Sequence, residues 1–223
     1  VSANATDVDV CFFDAEDRET GRFRLPGRTG EVFHGWIEGV APGTRWGLRV
    51  SGPWAPERGH RFNPAKLLVD PHATRLDRPF RLHPAMFDAR IHGAEHDEVD
   101  SAAEVPKAIV EAASPAQPVV RPRVAPRDRV VYECHVKGFT RLHPGIPEEI
   151  RGTFAALGHP VAIAHLTRLG VTVLEVMPIW AGLDERHLGP LGLTNYWNYN
   201  PIVPMAVDPR LAPRGPQELR NMT

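Results

Sequence analysis

The chain has 223 residues, a length that one large domain or two modest ones would fill. Hydrophobic residues make up 42% of it and charged residues 24%, which is ordinary globular usage and excludes disorder as the default. The formal net charge of −1 leaves no basic excess to neutralise phosphates, and no apolar run approaches the roughly 20 residues of a membrane span. Neither a nucleic acid nor a membrane is therefore predicted as a partner.

Short strands separated by turn signals fill the first fifty residues. Residues 9–13 form an apolar run, whereas residues 31–37 and 45–50 alternate apolar and polar side chains, as half-buried strands do. Residues 41–44 form a turn between the two alternating segments. Several strands at this spacing predict a small antiparallel β-sandwich, which we place with its trailing loops over residues 1–100.

Prolines mark a change of character after the predicted sandwich. They fall at Pro106, Pro115, Pro118, Pro122 and Pro126. Frequent proline between two patterned regions is typical of an exposed connection between domains. We therefore predict a linker over residues 101–126, followed by a second domain over residues 127–223.

The second domain begins with a strand, a helix and a strand. Residues 129–136 have a strand pattern, and residues 160–169 carry apolar side chains at helical spacing up to Gly170, which is placed to end the helix. Residues 171–178 are almost continuously apolar, which favours a strand buried on both faces. This order is typical of a βαβ unit with parallel pairing, and residues 216–219 begin a further helix.

The reactive side chains do not form a recognisable nucleophile or metal site. Cys11 and Cys134 lie far apart in sequence, so we predict two buried free thiols in a reducing compartment, the cytoplasm. Cys134 and His135 are neighbours in a strand, so their side chains should point to opposite faces and cannot form a nucleophilic pair. No phosphate-binding loop and no metal-ligand spacing occurs, and no cofactor is predicted.

A search for paired catalytic carboxylates finds Glu133 and Glu175. A pair of carboxylates can hydrolyse a glycosidic bond, but barrel active sites form beyond the carboxyl ends of the strands. Both glutamates come before those ends, so we favour polar residues hydrogen-bonded in the floor of the sheet. No catalytic residue is therefore predicted in this chain.

An aromatic stretch, Asn195-Tyr196-Trp197-Asn198-Tyr199-Asn200-Pro201, follows the second strand of the predicted βαβ unit. It should therefore lie at the carboxyl end of the strands, where barrel active sites form. Flat rings can meet the C–H groups of a sugar while amides bind its hydroxyls. The alternative is a packed aromatic loop tied down by its proline, and composition alone balances the two interpretations evenly.

Several segments resemble one known family. Residues 170–178 are similar to the second-strand region of the α-amylase superfamily, glycoside hydrolase family 13. Residues 59–71, 135–140, 142–144 and 151–153 resemble bacterial glycogen debranching enzymes and isoamylases, and residues 184–188 and 195–197 continue the match. The resemblance covers essentially the whole chain and is weakest over residues 76–126.

The resemblance implies an Ig-like sandwich of the carbohydrate-binding module family 48 type, followed by the first βα units of a (β/α)8 TIM barrel. Residues 126–223 have room for about two such units, whereas a closed barrel needs about 250 residues. The family hydrolyses α-1,6 branch linkages in branched α-glucans, glycogen or limit dextrin, with an aspartate nucleophile, a glutamate acid/base and a stabilising aspartate. All three come from later strands, so we expect an N-terminal fragment that is inactive alone.

The resemblance also assigns residues to substrate binding. Tyr199 matches the tyrosine that stacks on the sugar where cleavage occurs, and Trp197 and Asn195 belong to the same motif. Asn198 stands where the family usually has glycine. Two other functions remain open: a non-catalytic glucan-binding protein, and a sibling activity such as a branching enzyme or a trehalose-forming hydrolase. The debranching-type segment at residues 59–71 argues against the sibling.

Overall fold

The first part of the chain is rich in antiparallel strands. A computed structural model describes residues 1–88, 96–112 and 122–223. Strands in the first two of these ranges are β1 (Asp7–Phe13), β2 (Glu19–Arg24), β3 (Gly27–Thr29), β4 (Val32–His34), β5 (Arg45–Ser51), β6 (Trp54–Ala55), β7 (His60–Arg61) and β8 (Ala108–Ile109). We call this part the N-terminal unit.

One four-stranded sheet organises the N-terminal unit. Its order is β2-β1-β5-β8, and each neighbouring pair is antiparallel, with Val10 opposite Leu48 and Trp46 opposite Ala108. The pairs β3–β4 and β6–β7 form two small antiparallel ribbons. The central strand β1 buries Val8, Val10 and most of its other apolar side chains, as a strand flanked on both edges should. The prediction of a β-rich antiparallel N-terminal unit is confirmed.

The predicted strand over residues 31–37 is shorter than its alternating pattern suggested. Strand β4 ends at His34, and Trp36 beyond it is 82% exposed. Period-two alternation marks which side chains can share a face, but backbone pairing decides where the strand ends.

The predicted linker over residues 101–126 is wrong in its first half. Ser101, Lys107 and Ala108 are fully buried, and Ala108 belongs to β8, which pairs with β5 at the sheet edge. Residues 101–112 therefore complete the N-terminal unit. Proline frequency misled the prediction, because a proline needs no backbone donor and is tolerated beside an edge strand. Residues 113–121, the centre of the predicted linker, lie outside the described residues.

The second part of the chain mixes strands and helices. Its elements are β9 (Val131–Cys134), α1 (Val136–Thr140), α2 (Phe154–Leu157), α3 (Pro160–Arg168), β10 (Val173–Val176), β11 (Trp180–Gly182), β12 (Pro201–Val207) and α4 (Gln217–Met222). Strands β9 and β10 pair in parallel, and the three helices α1, α2 and α3 lie in the connection between them. The predicted strand–helix–strand order and its parallel pairing are confirmed.

The helix that precedes β10 has the ends predicted from sequence. His159 is its N-cap and accepts a hydrogen bond from the Val161 N–H, and Pro160 occupies the first turn, where the missing donor costs nothing. Gly170 follows the C-cap with a φ of +73°, a left-handed conformation that glycine adopts without strain. The chain thereby leaves α3 in the direction of β10.

Strands β9 and β10 are not buried on both faces, which corrects the prediction. Helices cover one face, where Cys134 and Leu174 pack with Phe154. On the other face, Val131 is 55% exposed and Val173 is 37% exposed. A two-stranded sheet with helices on a single side has nothing to cover the second face, although its sequence has the apolar character of a fully buried strand.

The two glutamates of these strands lie on the open face. Glu133 and Glu175 are directly opposite each other in the parallel register, and both are exposed. The prediction of buried, hydrogen-bonded carboxylates is therefore wrong, since a carboxylate on an open face stays in water. Both still precede the carboxyl ends of their strands.

The hairpin formed by β11 and β12 packs into the N-terminal unit. Its residues Ala181, Val203 and Ala206 are 1%, 0% and 0% exposed and belong to one apolar cluster with residues of the N-terminal unit. The buried members are Cys11, Phe13, Leu67, Ala73, Leu76, Phe80, Ala102, Val105, Ala108, Ala181, Val203 and Ala206. The two parts of the chain thus share a core, which we call the shared core.

Both cysteines are buried free thiols, as predicted. Burial raises the pKa of Cys11 to about 11, with a smaller contribution from the charge of Glu19, and burial also raises the pKa of Cys134. Neither thiol has the thiolate character that a nucleophile needs. None of the helices in the described parts of the chain has the length and apolar character of a membrane span.

Candidate functional site

The aromatic stretch lies on the connection between β11 and β12 and presents three rings to solvent. Tyr196 is 44% exposed, Trp197 is 52% exposed and Tyr199 is 67% exposed. We call residues 195–200 the aromatic segment. Exposure of three aromatic rings within four residues costs free energy, because water must hydrate their apolar faces. A ligand with apolar faces of its own would cover them.

His135, at the carboxyl end of β9, fixes one side of the aromatic segment. Its ring stacks on Tyr196 with centroids 4.1 Å apart and an angle of 11° between the planes. Its Nδ1 accepts hydrogen bonds from the N–H groups of Lys137 and Gly138, so Nε2 carries the proton and donates to the Tyr196 carbonyl at 2.6 Å. Trp197 packs edge-on against Tyr196 at 5.2 Å.

Glycine at position 138 makes room for the stack. A side chain there would collide with the hydroxyl group of Tyr196. The Tyr196 ring therefore lies directly over the first turn of α1. Tyr196 is held from two sides by backbone and ring contacts, whereas Tyr199 is free to present its face.

Asn195 uses its polar groups inside the protein. Its backbone N–H donates to Asp184 Oδ1 at 2.8 Å, and its side-chain Nδ2 donates to Glu185 Oε1 at 2.9 Å. Its Oδ1 accepts from the Asn198 N–H at 2.8 Å. Each of these bonds restricts the path of the aromatic segment, so the geometry gives Asn195 a role in holding the loop.

Asn198 adopts the left-handed backbone conformation, with a φ of +60°. Glycine adopts that region freely, and asparagine is among the few other residues that tolerate it. The buried Asn198 side chain donates to the Trp180 carbonyl at 2.5 Å and accepts from Arg210 at 3.2 Å. A side chain at Gly182 would collide with Asn198 Oδ1. These contacts compensate for the strain of a residue with a Cβ at this position.

Arg210 and the buried Asp208 form an ion pair beneath the segment. Arg210 Nη2 lies 2.7 Å from Asp208 Oδ2, and Arg210 Nε lies 3.0 Å from Asp208 Oδ1. The hydrogen bonds to Asp208 raise the pKa of the Arg210 guanidinium, although burial opposes this, so the side chain keeps its charge. Arg210 thereby offers a permanently charged donor to Asn198 and a second contact, 3.7 Å, to Asp184.

A shallow cavity lies next to these residues. It has a volume of about 200 Å³ and is lined in part by His135, Lys137, Asn195, Tyr196 and Arg210. Enclosed pockets for small ligands usually measure about 300–1,000 Å³, so this cavity is too small to enclose an oligosaccharide. The geometry suits an open platform on which a chain of sugars would lie.

The structure keeps the predicted residues Asn195, Trp197 and Tyr199 on one segment, which a contiguous motif guarantees. The contributions of His135, Asp208 and Arg210 were missed by the sequence reasoning. Only the adjacency of asparagines and aromatic residues was visible in the sequence, since partners 61 residues apart meet through folding alone. Within the described residues, no cluster of acidic residues, histidines and cysteines is arranged to hold a metal ion.

Sequence comparison adds to this geometry. Residues 2–73 match the family described as carbohydrate-binding module 48, isoamylase N-terminal domain. The glycogen debranching enzyme of Enterobacter sp. (strain 638) is 49% identical over 212 residues, which cover 95% of this chain and 32% of that enzyme. Over this stretch the chain is similar to the bacterial glycogen debranching enzymes. It spans about a third of the length of the curated relatives it matches.

Solved structures support the same fold. Pullulanase from Bacillus acidopullulyticus superposes with a TM-score of 0.67 at 16% identity, covering 100% of this chain and 25% of that one. Pullulanase from Anoxybacillus sp. LM18-11, solved in complex with maltotetraose, gives 0.63 at 18% identity and covers 100% of this chain and 30% of that one. The likeness extends over both parts of this chain.

Proposed function

We propose that this chain is part of a glycogen debranching enzyme and that the whole protein hydrolyses α-1,6 branch linkages in glycogen or limit dextrin in the cytoplasm. The observation that carries the proposal is the aromatic segment, whose exposed rings follow a parallel strand pair at its carboxyl end. The 49% identity with a glycogen debranching enzyme over 95% of this chain supports a branched α-glucan as the substrate class, and the two buried free thiols suit a reducing compartment.

The proposed architecture has two parts. The N-terminal unit is a sandwich of the module 48 type, completed by residues up to 112. The parallel pair β9–β10 with its helical connection forms the first βα units of a (β/α)8 barrel, and its open face would be covered by further strands. Support comes from the parallel pairing and from the likeness to pullulanases.

Tyr199 is the proposed sugar platform. Its ring is 67% exposed, and the hydrogen bonds of Asn195 and Asn198, which both precede it, fix the backbone that leads to it. A phenol ring offers an apolar face that suits the C–H face of a glucose unit, and a fixed backbone lowers the entropy cost of binding. Trp197 would extend the same surface to a neighbouring sugar.

Bond cleavage itself is assigned to another part of the parent protein. The carboxylates that hydrogen-bond within the site are committed to other partners: Asp184 and Glu185 bind Asn195, and Asp208 binds Arg210. A retaining glycosidase needs one free carboxylate as nucleophile and another that carries a proton. The residues of this site are therefore proposed to bind and orient the glucan.

Titration with maltotetraose tests the proposal. We expect Tyr199→Ala to weaken binding by about ten-fold, whereas Tyr199→Phe should stay within about two-fold because the ring face survives. Trp36→Ala is the matched control, since Trp36 is an exposed aromatic residue of the N-terminal unit. Equal binding by Tyr199→Ala and the wild type would refute the platform.

The same titration separates the alternative, a non-catalytic glucan-binding protein that binds through its module. The match of residues 2–73 to module 48 favours that alternative. Loss of binding in Trp36→Ala with no loss in Tyr199→Ala would support it against the platform. Release of reducing ends from branched glucan by the full-length parent would show that the parent is an enzyme and exclude the non-catalytic alternative.

A further inference from the structure

The aromatic segment is carried on a hairpin that the N-terminal unit holds in place. The segment begins after β11 and ends at β12, and both strands enter the shared core through Ala181 and Val203. Leu183 and Ile202, next to the two ends of the connection, pack against the same core. The spacing between the two ends of the segment is therefore set by packing inside the N-terminal unit.

A second contact joins the connection between β11 and β12 to the N-terminal unit. The Arg186 guanidinium carbon lies 3.6 Å from the centre of the Phe87 ring, which belongs to the N-terminal unit. Arg186 directly follows Asp184 and Glu185, the two residues whose carboxylates hold the backbone and side chain of Asn195. Residues 184–186 thus contact the aromatic segment through Asp184 and Glu185 and the N-terminal unit through Arg186.

We propose that the N-terminal unit positions the aromatic segment and that Phe87 and Arg186 form the contact through which it fixes residues 184–186. Phe87 and Arg186 are positioning residues and touch no sugar. The consequence for glucan binding rests on the proposed role of Tyr199, but the mechanical link does not.

The physical argument is a chain of short contacts. A guanidinium over an aromatic face is attracted to the ring and restricts the arginine backbone. A fixed backbone at residue 186 keeps the carboxylates of Asp184 and Glu185 where Asn195 can donate to both. Asn195 in turn accepts from the Asn198 N–H, the residue that precedes Tyr199. Loss of the contact between Arg186 and Phe87 should therefore weaken the hydrogen bond between the Asn198 N–H and Asn195.

Amide hydrogen exchange of the 223-residue chain tests the link without any sugar. We expect Phe87→Leu and Arg186→Gln each to accelerate exchange of the Asn195 and Asn198 amides by about three- to five-fold, as loss of one exposed cation–π contact predicts. The double variant should exchange no faster than either single variant, because both remove the same contact. Amides of β1 and β5 should keep their slow exchange, which shows that each variant is folded.

Arg28→Gln is the matched control. Arg28 lies over the Phe33 ring at 4.9 Å and otherwise binds the carbonyl groups of Ala3, Ala5 and Gly30, all within the N-terminal unit. We expect it to leave the Asn195 and Asn198 amides unchanged. Unchanged exchange in both single variants, or additive effects in the double variant, would overturn the proposal.

Maltotetraose binding by the same variants separates this inference from the proposed function. Faster exchange together with weaker binding supports both. Faster exchange with unaltered binding would support the positioning role of Phe87 and Arg186 and count against Tyr199 as the sugar platform. Unaltered exchange with weaker binding would refute the positioning contact and assign Phe87 or Arg186 a direct role.

Discussion

Asn198 concentrates the local strain of the site in one residue. Its left-handed φ of +60° costs a residue with a Cβ about 1–2 kcal/mol, and its side-chain bonds to Trp180 and Arg210 offset that cost. The glycine that the debranching family usually places here needs no such compensation. The side-chain bonds of Asn198 therefore let an asparagine occupy a backbone conformation that glycine would adopt without strain.

A comparison of two substitutions at Asn198 tests this account. Both Asn198→Gly and Asn198→Ala lose the side-chain bonds, but only alanine retains a Cβ in the left-handed region. We expect Asn198→Ala to lower the free energy of unfolding by about 1 kcal/mol more than Asn198→Gly. Urea denaturation of the two variants measures the difference, and equal stabilities would show that no backbone strain is present.

Tyr199 should act on rate more than on stability. Its side chain is 67% exposed, so its removal costs little burial, whereas a platform that holds a sugar during ring flattening contributes to the transition state. In the full-length parent we expect Tyr199→Ala to lower kcat by roughly ten-fold, about 1.4 kcal/mol in the barrier, with Tyr199→Phe milder. Activity and thermal melting measured together decide, since a loss proportional to unfolding would assign Tyr199 to packing.

The residues of the aromatic segment could be proposed from the sequence, whereas the residues that support the segment could not. Tyr199 and Trp197 were predicted because their neighbours form a contiguous motif. The stack of His135 on Tyr196 and the support of Asn198 by Arg210 join residues distant in the chain or without a motif, and only packing brings them together. Asn195 was predicted to bind substrate, whereas its hydrogen bonds lie within the protein.

At the scale of elements, a buried charge cluster ties β8 to the turn after β1. Lys107, which immediately precedes β8, is fully buried, and its Nζ donates to the carbonyls of Ala102 and Val105 and to Asp17 at 3.2 Å. Burial lowers the pKa of Lys107, and the nearby charge of Arg78 lowers it further. Asp17 is the carboxylate that partly compensates for this buried cation.

Acid should weaken this cluster. Burial tends to raise the pKa of Asp17, but hydrogen bonds from Arg78 and Lys107 prevail and hold it below the ordinary value of 3.8. A carboxyl with a lowered folded pKa contributes stability above pH 3.8 and loses that contribution as the pH falls through the folded pKa. We expect the free energy of unfolding to decline below pH 3.8, and Asp17→Asn to cost about 2 kcal/mol at neutral pH.

Urea unfolding at a series of pH values measures both effects. In Asp17→Asn the decline below pH 3.8 should be shallower than in the wild type. Glu38→Gln replaces an exposed carboxylate outside the cluster and should match the wild type throughout. If the free energy of unfolding of Asp17→Asn declined as steeply below pH 3.8 as that of the wild type, the acid sensitivity would come from other residues.

Elements with strong local signals were predictable, and elements defined by distant pairing were not. Helix α3 carries its own start at Pro160 and its own stop at Gly170, so the sequence locates both ends. Strand β8 has two residues and exists because Trp46 offers a partner at the sheet edge. A sequence pattern cannot predict a strand of two residues, and the surrounding prolines suggested a linker.

For the whole molecule, the open face of β9 and β10 sets an expectation about activity. Glu133 and Glu175 lie side by side there, before the carboxyl ends of their strands, and the carboxylates of the aromatic site are tied to other groups. We expect the purified 223-residue chain to release no reducing ends from branched glucan above a blank. Activity that persists after further purification and disappears in Glu133→Gln would show that this pair is catalytic after all.

The shared core also bears on how such proteins can be recombined. A chimera joined within residues 101–126 would set Leu67 and Val105 of one parent against Val203 and Ala206 of another. Close-packed interiors are sensitive to a change of one methylene, so mismatched halves would leave voids or clashes beside the aromatic segment. A junction after β12 would transfer the core whole. Exchange of the N-terminal unit of this chain alone would therefore require redesign of an interior, and a suitable crossover point lies beyond residue 207.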